Sequence, residues 1–141
     1  MRSAQIRPFR IEDLEAVRRL WAASEGLSVG PGNSDETIGR FLNRNPGLSL
    51  VAVDGDALVA AVLCGHDGRR GYIYRLAVAP DHRRGGLAAE LVRRCLAGLK
   101  ATGIDRCLAL VKESNAGGRR FWEAVGGRFR DDLVAFSIDI S

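Results

Sequence analysis

Tyr72-Ile-Tyr-Arg-Leu-Ala-Val-Ala-Pro80 runs into Asp81-His-Arg-Arg-Gly-Gly-Leu-Ala88, and then into an apolar-striped segment that ends near Lys100. The first block mixes aromatic and aliphatic residues and stops at a proline, which reads as a strand. In the last, Leu87, Leu91, Val92, Cys95, Leu96 and Leu99 recur at helical spacing, and Gly103 closes the helix. Between them lies a basic glycine turn. A strand that feeds backbone amides into a helix start is a place to hold an anionic group. Gly85 and Gly86 let a ligand approach the backbone, and Ala88 is small for the same reason. Taken alone, Arg83-x-x-Gly86-x-Ala88 also fits a solvated, capped helix start.

Working outward from this junction, the preceding chain reads as a meander. Leu48 to Val53 is a strand, Asp54-Gly55-Asp56 a hairpin turn, and Ala57 to Cys64 the return strand. Gly65 to Gly71 is a longer hairpin loop. Further upstream, Ser3 to Phe9 alternates as a first strand. A helix then opens at Ile11-Glu12-Asp13, with Leu14, Val17, Leu20 and Trp21 on one face, and Gly26 stops it. Leu27 to Asn33 is a loop. Ser34-Asp35-Glu36 begins a second helix with Ile38, Phe41 and Leu42 on its face, ended by Asn45-Pro46-Gly47.

Downstream, Arg106 to Val111 is an apolar strand. The helix from Leu87 crosses over to it, so it lies parallel to Tyr72–Val78. Ser114-Asn115 caps a short helix through Phe121, Trp122 and Val125. Gly127 to Arg130 and Leu133 to Ile140 make a terminal strand pair around Asp131-Asp132. There is no internal repeat, low-complexity segment or linker, and residues 1–141 read as a single domain.

Composition narrows the function classes. The chain has 141 residues, 46% hydrophobic and 27% charged, with a net charge of +4. The basic residues are nearly all arginine and scattered. A nucleic-acid binder concentrates them on one face, so neither nucleic acid nor a membrane is expected as a partner. Arg69-Arg70, Arg83-Arg84, Arg93-Arg94 and Arg119-Arg120 suit a polyanionic small molecule or solvated faces. Cys64, Cys95 and Cys107 are widely spaced with no C-x-x-C pair, and read as reduced core residues. His66 and His82 lie in loops without a ligand-spaced partner, so no metal is expected. Neither a secretory leader nor an apolar run of ~20 residues is apparent, and the expected location is cytoplasmic. There is no G-x-x-x-x-G-K-[ST] and no G-x-G-x-x-G after a first strand, which argues against P-loop and dinucleotide sites.

Two blocks carry a resemblance. Leu76-Ala-Val-Ala-Pro-Asp-His-Arg-Arg-Gly-Gly-Leu-Ala88 is similar to a strand followed by [Q/R]-x-x-G-x-[G/A], and Asn115, Phe121-Trp122-Glu123 and Gly126 are similar to N-x-x-A-x-x-F-Y-E-x-x-G-F. In this the chain resembles the GNAT acyltransferases, which are acyl-CoA-dependent N-acetyltransferases. The opening Ile6-Arg7-Pro8 to Asp13 is also similar to that family's first strand and helix. The resemblance implies an α/β (α+β) GNAT fold, with a mixed central sheet of about seven strands and about four helices, splayed between the fourth and fifth strands.

The same resemblance implies the site. Acetyl-CoA would be the cosubstrate. Backbone amides of Arg83, Arg84, Gly85, Gly86, Leu87 and Ala88 would cradle its pyrophosphate. Leu76, Ala77 and Val78 would lie along the pantetheine arm like an added strand, with a backbone amide facing the thioester carbonyl. Asn115 would reach the pantetheine, and Phe121 and Trp122 would flank it near the sulfur. Core packing of the last helix is the alternative role for both, and for Phe121 at least as good a one. Trp122 stands where the family often has Tyr, so a phenolic acid is absent there. Solvent, Ser114 or Tyr74 is left to protonate the thiolate.

An amine acceptor must lose a proton before attack, and a carboxylate is the usual means. Glu25 is the first candidate, with an exposed helix-end acid as the plain alternative. Tyr72, Tyr74 and Leu76 alternate and are expected on one face, lining an acceptor channel or packing on a helix. Asp131 and Asp132 read chiefly as turn residues. The expected activity is transfer of an acetyl group to a primary amine, on a small molecule or on a protein N-terminus or lysine, by direct attack in a ternary complex. The alternative is a non-catalytic acyl-CoA-binding sensor or interaction module. A homodimer is compatible with either.

Overall fold

Gly55 and Asp56 turn the chain between β2 (Leu50–Asp54) and β3 (Ala57–His66), with Gly55 in the left-handed region at φ +63°. β3 then returns through β4 (Gly71–Val78), and β1 (Gln5–Pro8) lies on the far side of β2. These pairs are antiparallel. β5 (Cys107–Ala109) joins β4 in parallel, completing the order β1-β2-β3-β4-β5. The computed structural model describes residues 4–24 and 33–140. They fall in two compact units, Met1–Leu110 and Val111–Ser141.

In the first unit, helices cover both faces of the sheet. α1 (Leu14–Ala22) follows a 3-10 turn at Ile11–Asp13 and buries Leu14, Val17, Leu20 and Trp21. Asp13 fixes that turn by accepting from the Arg10 amide at 2.8 Å and from both Arg7 guanidinium nitrogens at 2.8 and 2.9 Å. α2 (Asp35–Arg44) starts where Ser34 Oγ accepts from the Thr37 amide at 3.2 Å, and buries Ile38. Together α1 and α2 pack on Val51, Ala61, Leu63 and Ala77. α3 (Leu87–Ala101) buries Leu91, Val92, Cys95 and Leu99 and packs on β3 and β4. Gly71 is required beneath it: a Cβ there would sit 2.6 Å from Leu99 Cδ1. Cys64 and Cys95 are buried free thiols, and burial pushes the half-buried Cys107 thiol up to about 11.

The second unit holds α4 (Ala116–Ala124), N-capped by Asn115, whose Oδ1 accepts from the Gly118 amide at 2.9 Å. Here the structure corrects the sequence reading. The expected pair Gly127–Arg130 and Leu133–Ile140 forms no strand among the described residues, so the sheet has five strands rather than about seven. Arg130 bonds both oxygens of Asp132 at 2.9 Å, closing a local turn without a ladder. An isolated two-stranded hairpin is marginal in water, and alternating side chains do not provide it with a partner. The four helices among the described residues fit the expected number, and the expected α/β architecture is retained.

Candidate functional site

The parallel β4–β5 ladder is short. It joins Gly71 to Cys107, Tyr72 to Leu108 and Ile73 to Ala109, and goes no further. β4 itself continues to Val78. From Tyr74 onward its β5-side edge has no strand partner among the described residues, which is the splay the sequence implied.

A bulge sits at that divergence. Leu63 pairs with Tyr74 and Ala61 with Ala77, so Arg75 and Leu76 together oppose Val62. Arg75 adopts φ +55°, an uncommon conformation for a non-glycine residue. Trp21 Nε1 donates to the Arg75 carbonyl at 2.9 Å, and the Arg75 guanidinium carbon lies 4.4 Å from the Trp21 ring centroid. Both contacts tie the bulge to α1.

The extra residue shifts the side-chain alternation. Tyr72 and Tyr74 do share a face, stacked at 5.8 Å and 8°. Ala77, rather than Leu76, continues that face in the α1/α2 core. The expected row Tyr72, Tyr74, Leu76 is therefore broken after Tyr74. Tyr74 also meets Phe41 edge-on at 6.1 Å. Burial, ahead of its charged neighbours, raises its phenol pKa, so it holds its proton at neutral pH.

Beyond Val78 the chain turns tightly. The Ala79 amide donates to Val59 at 2.7 Å, Pro80–His82 form a 3-10 turn, and His82 Nε2 lies 2.8 Å from Asp54 Oδ2. Arg83 reaches back, its Nε donating to the Val78 carbonyl at 2.9 Å. Its own amide donates to the Pro80 carbonyl at 3.3 Å.

Arg84 at φ +68° and Gly86 at φ +83° curl the backbone around Gly85. The amides of Arg84, Gly85, Gly86, Leu87 and Ala88 have no acceptor among the described residues. They form a concavity of N–H groups at the positive end of a 15-residue helix. A Cβ on either Gly85 or Gly86 would meet nothing within 4 Å. The space beside both glycines is therefore open among the described residues. Glu90, the acid in the first turn of α3, is turned to Arg93 and Arg94, which hold its carboxyl at about 2. The donor set fits a polyphosphate: several convergent amides, the remaining Arg83 nitrogens and the exposed Arg84.

Asn115, Phe121 and Trp122 belong to the second unit, where Phe121 and Trp122 meet edge-on at 5.3 Å. The cap occupies Asn115 Oδ1 and leaves its amide nitrogen without a hydrogen bond among the described residues. Glu25 falls outside the described residues. Among the described residues, no group of three His, Cys, Asp or Glu could hold a metal ion. The sequence reading assigns Arg75 no role and Trp21 only a core role. An arginine inside an otherwise apolar strand was the available signal.

A family model described as the acetyltransferase (GNAT) family matches residues 14–126. The chain belongs to this GNAT family. An acetyltransferase of Pectobacterium atrosepticum is 41% identical to this GNAT chain over 112 residues, 79% of this chain and 78% of its own. One from Sodalis glossinidius is 34% identical over 131 residues, 92% and 91% of the two chains. In fold, the GNAT chain is similar to the PaiA N-acetyltransferase of Thermoplasma acidophilum in complex with coenzyme A, at TM-score 0.80 and 21% identity, covering 92% of each chain. Ribosomal-protein-alanine N-acetyltransferase of Brucella melitensis matches at TM-score 0.74 and 19% identity, over 98% of this chain and 99% of its own. The GNAT chain is thus an acetyltransferase by family, and the relatives do not favour the non-catalytic alternative.

Proposed function

We propose that this enzyme transfers an acetyl group from acetyl-CoA to a primary amine, by direct attack of the amine on the thioester in a ternary complex. The observation that carries the reading is the unpaired edge of β4 leading straight into the amide cradle at Arg84–Ala88. A pantetheine arm can add to Leu76, Ala77 and Val78 as a strand would, while the cradle and the Arg83 and Arg84 guanidiniums take the pyrophosphate. A β4 backbone amide at the bulge then faces the thioester carbonyl and stabilises its oxyanion.

In the reaction the amine nitrogen bonds to the thioester carbon, the C–S bond breaks, and the amine proton and the thiolate must be balanced. Tyr74 keeps its phenol neutral and can donate a hydrogen bond to the departing sulfur. Because its pKa is raised, it acts as a donor rather than as a strong acid. The resemblance supports Glu25 as base, acting through water, and it supports Asn115, Phe121 and Trp122 as further contacts of the arm. Most of the rate then comes from positioning and oxyanion stabilisation.

The test is release of CoA thiol from acetyl-CoA with a panel of small primary amines and N-terminal peptides, with mass spectrometry of the acetylated product. Amine-dependent release with an N-acetyl product supports the reading. Tight acetyl-CoA binding with no turnover across the panel would sink it.

A further inference from the structure

Among the described residues, Arg75 is a cation without a counter-ion. Its Nε is buried and has no hydrogen-bond partner, and no described carboxylate pairs with its guanidinium. One face of the group is covered by the Trp21 ring at 4.4 Å. Its backbone is held at φ +55° by the bulge and by the 2.9 Å bond from Trp21 Nε1 to its carbonyl. Backbone and side chain are thus both fixed, and little ordering remains to be done when an anion arrives.

The surroundings add positive charge instead of neutralising it. Arg18 is the charged neighbour that acts on Arg75, and burial together with that like charge lowers the Arg75 pKa. Arg18 is itself satisfied by Asp35 Oδ1 at 2.7 Å and the Asn33 carbonyl at 2.6 Å. A half-buried guanidinium beside a second, already paired arginine is a costly arrangement unless something anionic completes it.

Its place in the chain is the informative part. Arg75 begins the bulge at which β4 leaves β5, next to Tyr74 and Leu76, and its side chain lies on the α1 side of the sheet. On the reading proposed above, the β4 edge takes the acyl donor, and the thioester carbonyl sits at this bulge. A group held by Arg75 is then within one small molecule's length of the reacting carbon.

We propose that Arg75 is a specificity-determining residue that binds a carboxylate of the acceptor, so that the preferred acceptors are amines that also carry a carboxylate, such as amino acids. A carboxylate matches one planar guanidinium edge through two parallel N–H bonds. A single available fork suits it better than a multiply charged phosphate, for which the amide cradle is built. The inference rests on the proposed acetyl transfer for the position of the reacting carbon, and on Arg75 alone for the carboxylate.

The experiment compares free α-amino acids with the matching amino-acid amides, using the full chain and acetyl-CoA. Wild type is expected to favour at least one free acid over its amide. Arg75→Gln is expected to lower kcat/KM for that acid by roughly 10- to 100-fold, mainly through KM, and to leave the amide and acetyl-CoA affinity within about threefold. Arg75→Lys, which keeps the charge and loses the fork, is expected to fall between them, and it serves if the glutamine variant does not fold. Equal use of acids and amides by wild type, or an equal loss on both in the variants, would overturn the proposal. If no amine turns over, the same compounds are scored by thermal shift of the CoA-saturated protein. A shift given by free acids, absent with amides and lost in Arg75→Gln, upholds carboxylate binding and places the failure on the transfer reaction. No acid-specific shift overturns the proposal.

Discussion

The indole nitrogen of Trp21 donates a 2.9 Å hydrogen bond to the backbone carbonyl of Arg75, fastening α1 to the one bulged position of β4. The bond satisfies a carbonyl that the bulge has turned out of the ladder. Trp21→Phe keeps an aromatic ring under the guanidinium and removes only the donor. The expected cost is about 1–3 kcal/mol in urea unfolding, for a partly buried carbonyl left unpaired. On the proposed reaction, in which a β4 amide at the bulge faces the thioester, kcat should fall while acetyl-CoA affinity holds. Unchanged stability in the variant would show that the bond contributes nothing.

Gly85 and Gly86 separate backbone strain from ligand space. Gly86 sits at φ +83°, so Gly86→Ala should lose about 1–2 kcal/mol of stability and weaken CoA binding as well. Gly85 has no positive φ and no protein atom within 4 Å of an added Cβ. Gly85→Ala should therefore leave the melting temperature nearly unchanged and still weaken CoA binding, because its methyl enters the space before the amides. Calorimetric titration with CoA, alongside thermal melts, reads both.

Asn115 offers a similar separation in the second unit. Asn115→Ala removes the cap of α4 and should cost about 0.5–2 kcal/mol. Asn115→Asp retains the acceptor oxygen, so stability should return. It lacks the amide donor assigned to the pantetheine, so CoA affinity should remain low. Full recovery of affinity in Asn115→Asp would confine Asn115 to capping.

Asp13 gives the pH dependence its sign. The Arg7 guanidinium, aided by the Arg10 amide, holds its carboxyl below the usual carboxylate range. A carboxyl depressed in the folded state stabilises the fold above its unfolded value, near the model-peptide range for Asp. That stabilisation is lost as pH falls through the lower folded value. Asp13→Asn should reduce stability at neutral pH by about 1–3 kcal/mol and flatten its decline on acidification. Parallel acid-unfolding curves for the two proteins would contradict this.

The strand–turn–helix at the centre of the chain was readable because its punctuation is chemical. Pro80, the Gly85-Gly86 pair and Gly103 mark ends, and the Leu87–Leu99 stripe marks a face. The bulge had no such mark. Arginine is an unusual residue at positive φ, and an arginine in an apolar strand reads equally as a solvent-facing residue, so the alternation extends one residue too far, onto Leu76. The two terminal strands failed for a different reason. Val134, Phe136, Ile138 and Ile140 alternate well, yet a strand exists only with a hydrogen-bonding partner, and periodicity does not name one. The run of amides from Arg84 to Ala88 that lack an acceptor among the described residues falls within the glycine turn the sequence singled out, and the Arg83 guanidinium braces it against Val78.

The short β4–β5 ladder has one more consequence. An unpaired stretch in the middle of a sheet is a template on which another chain can polymerise. Tyr74–Val78 is guarded against this by its construction: the left-handed kink at Arg75 breaks its straightness, a guanidinium sits on it, and Pro80 closes it two residues past its end. The feature that leaves this edge open thus also makes it a poor seed for aggregation.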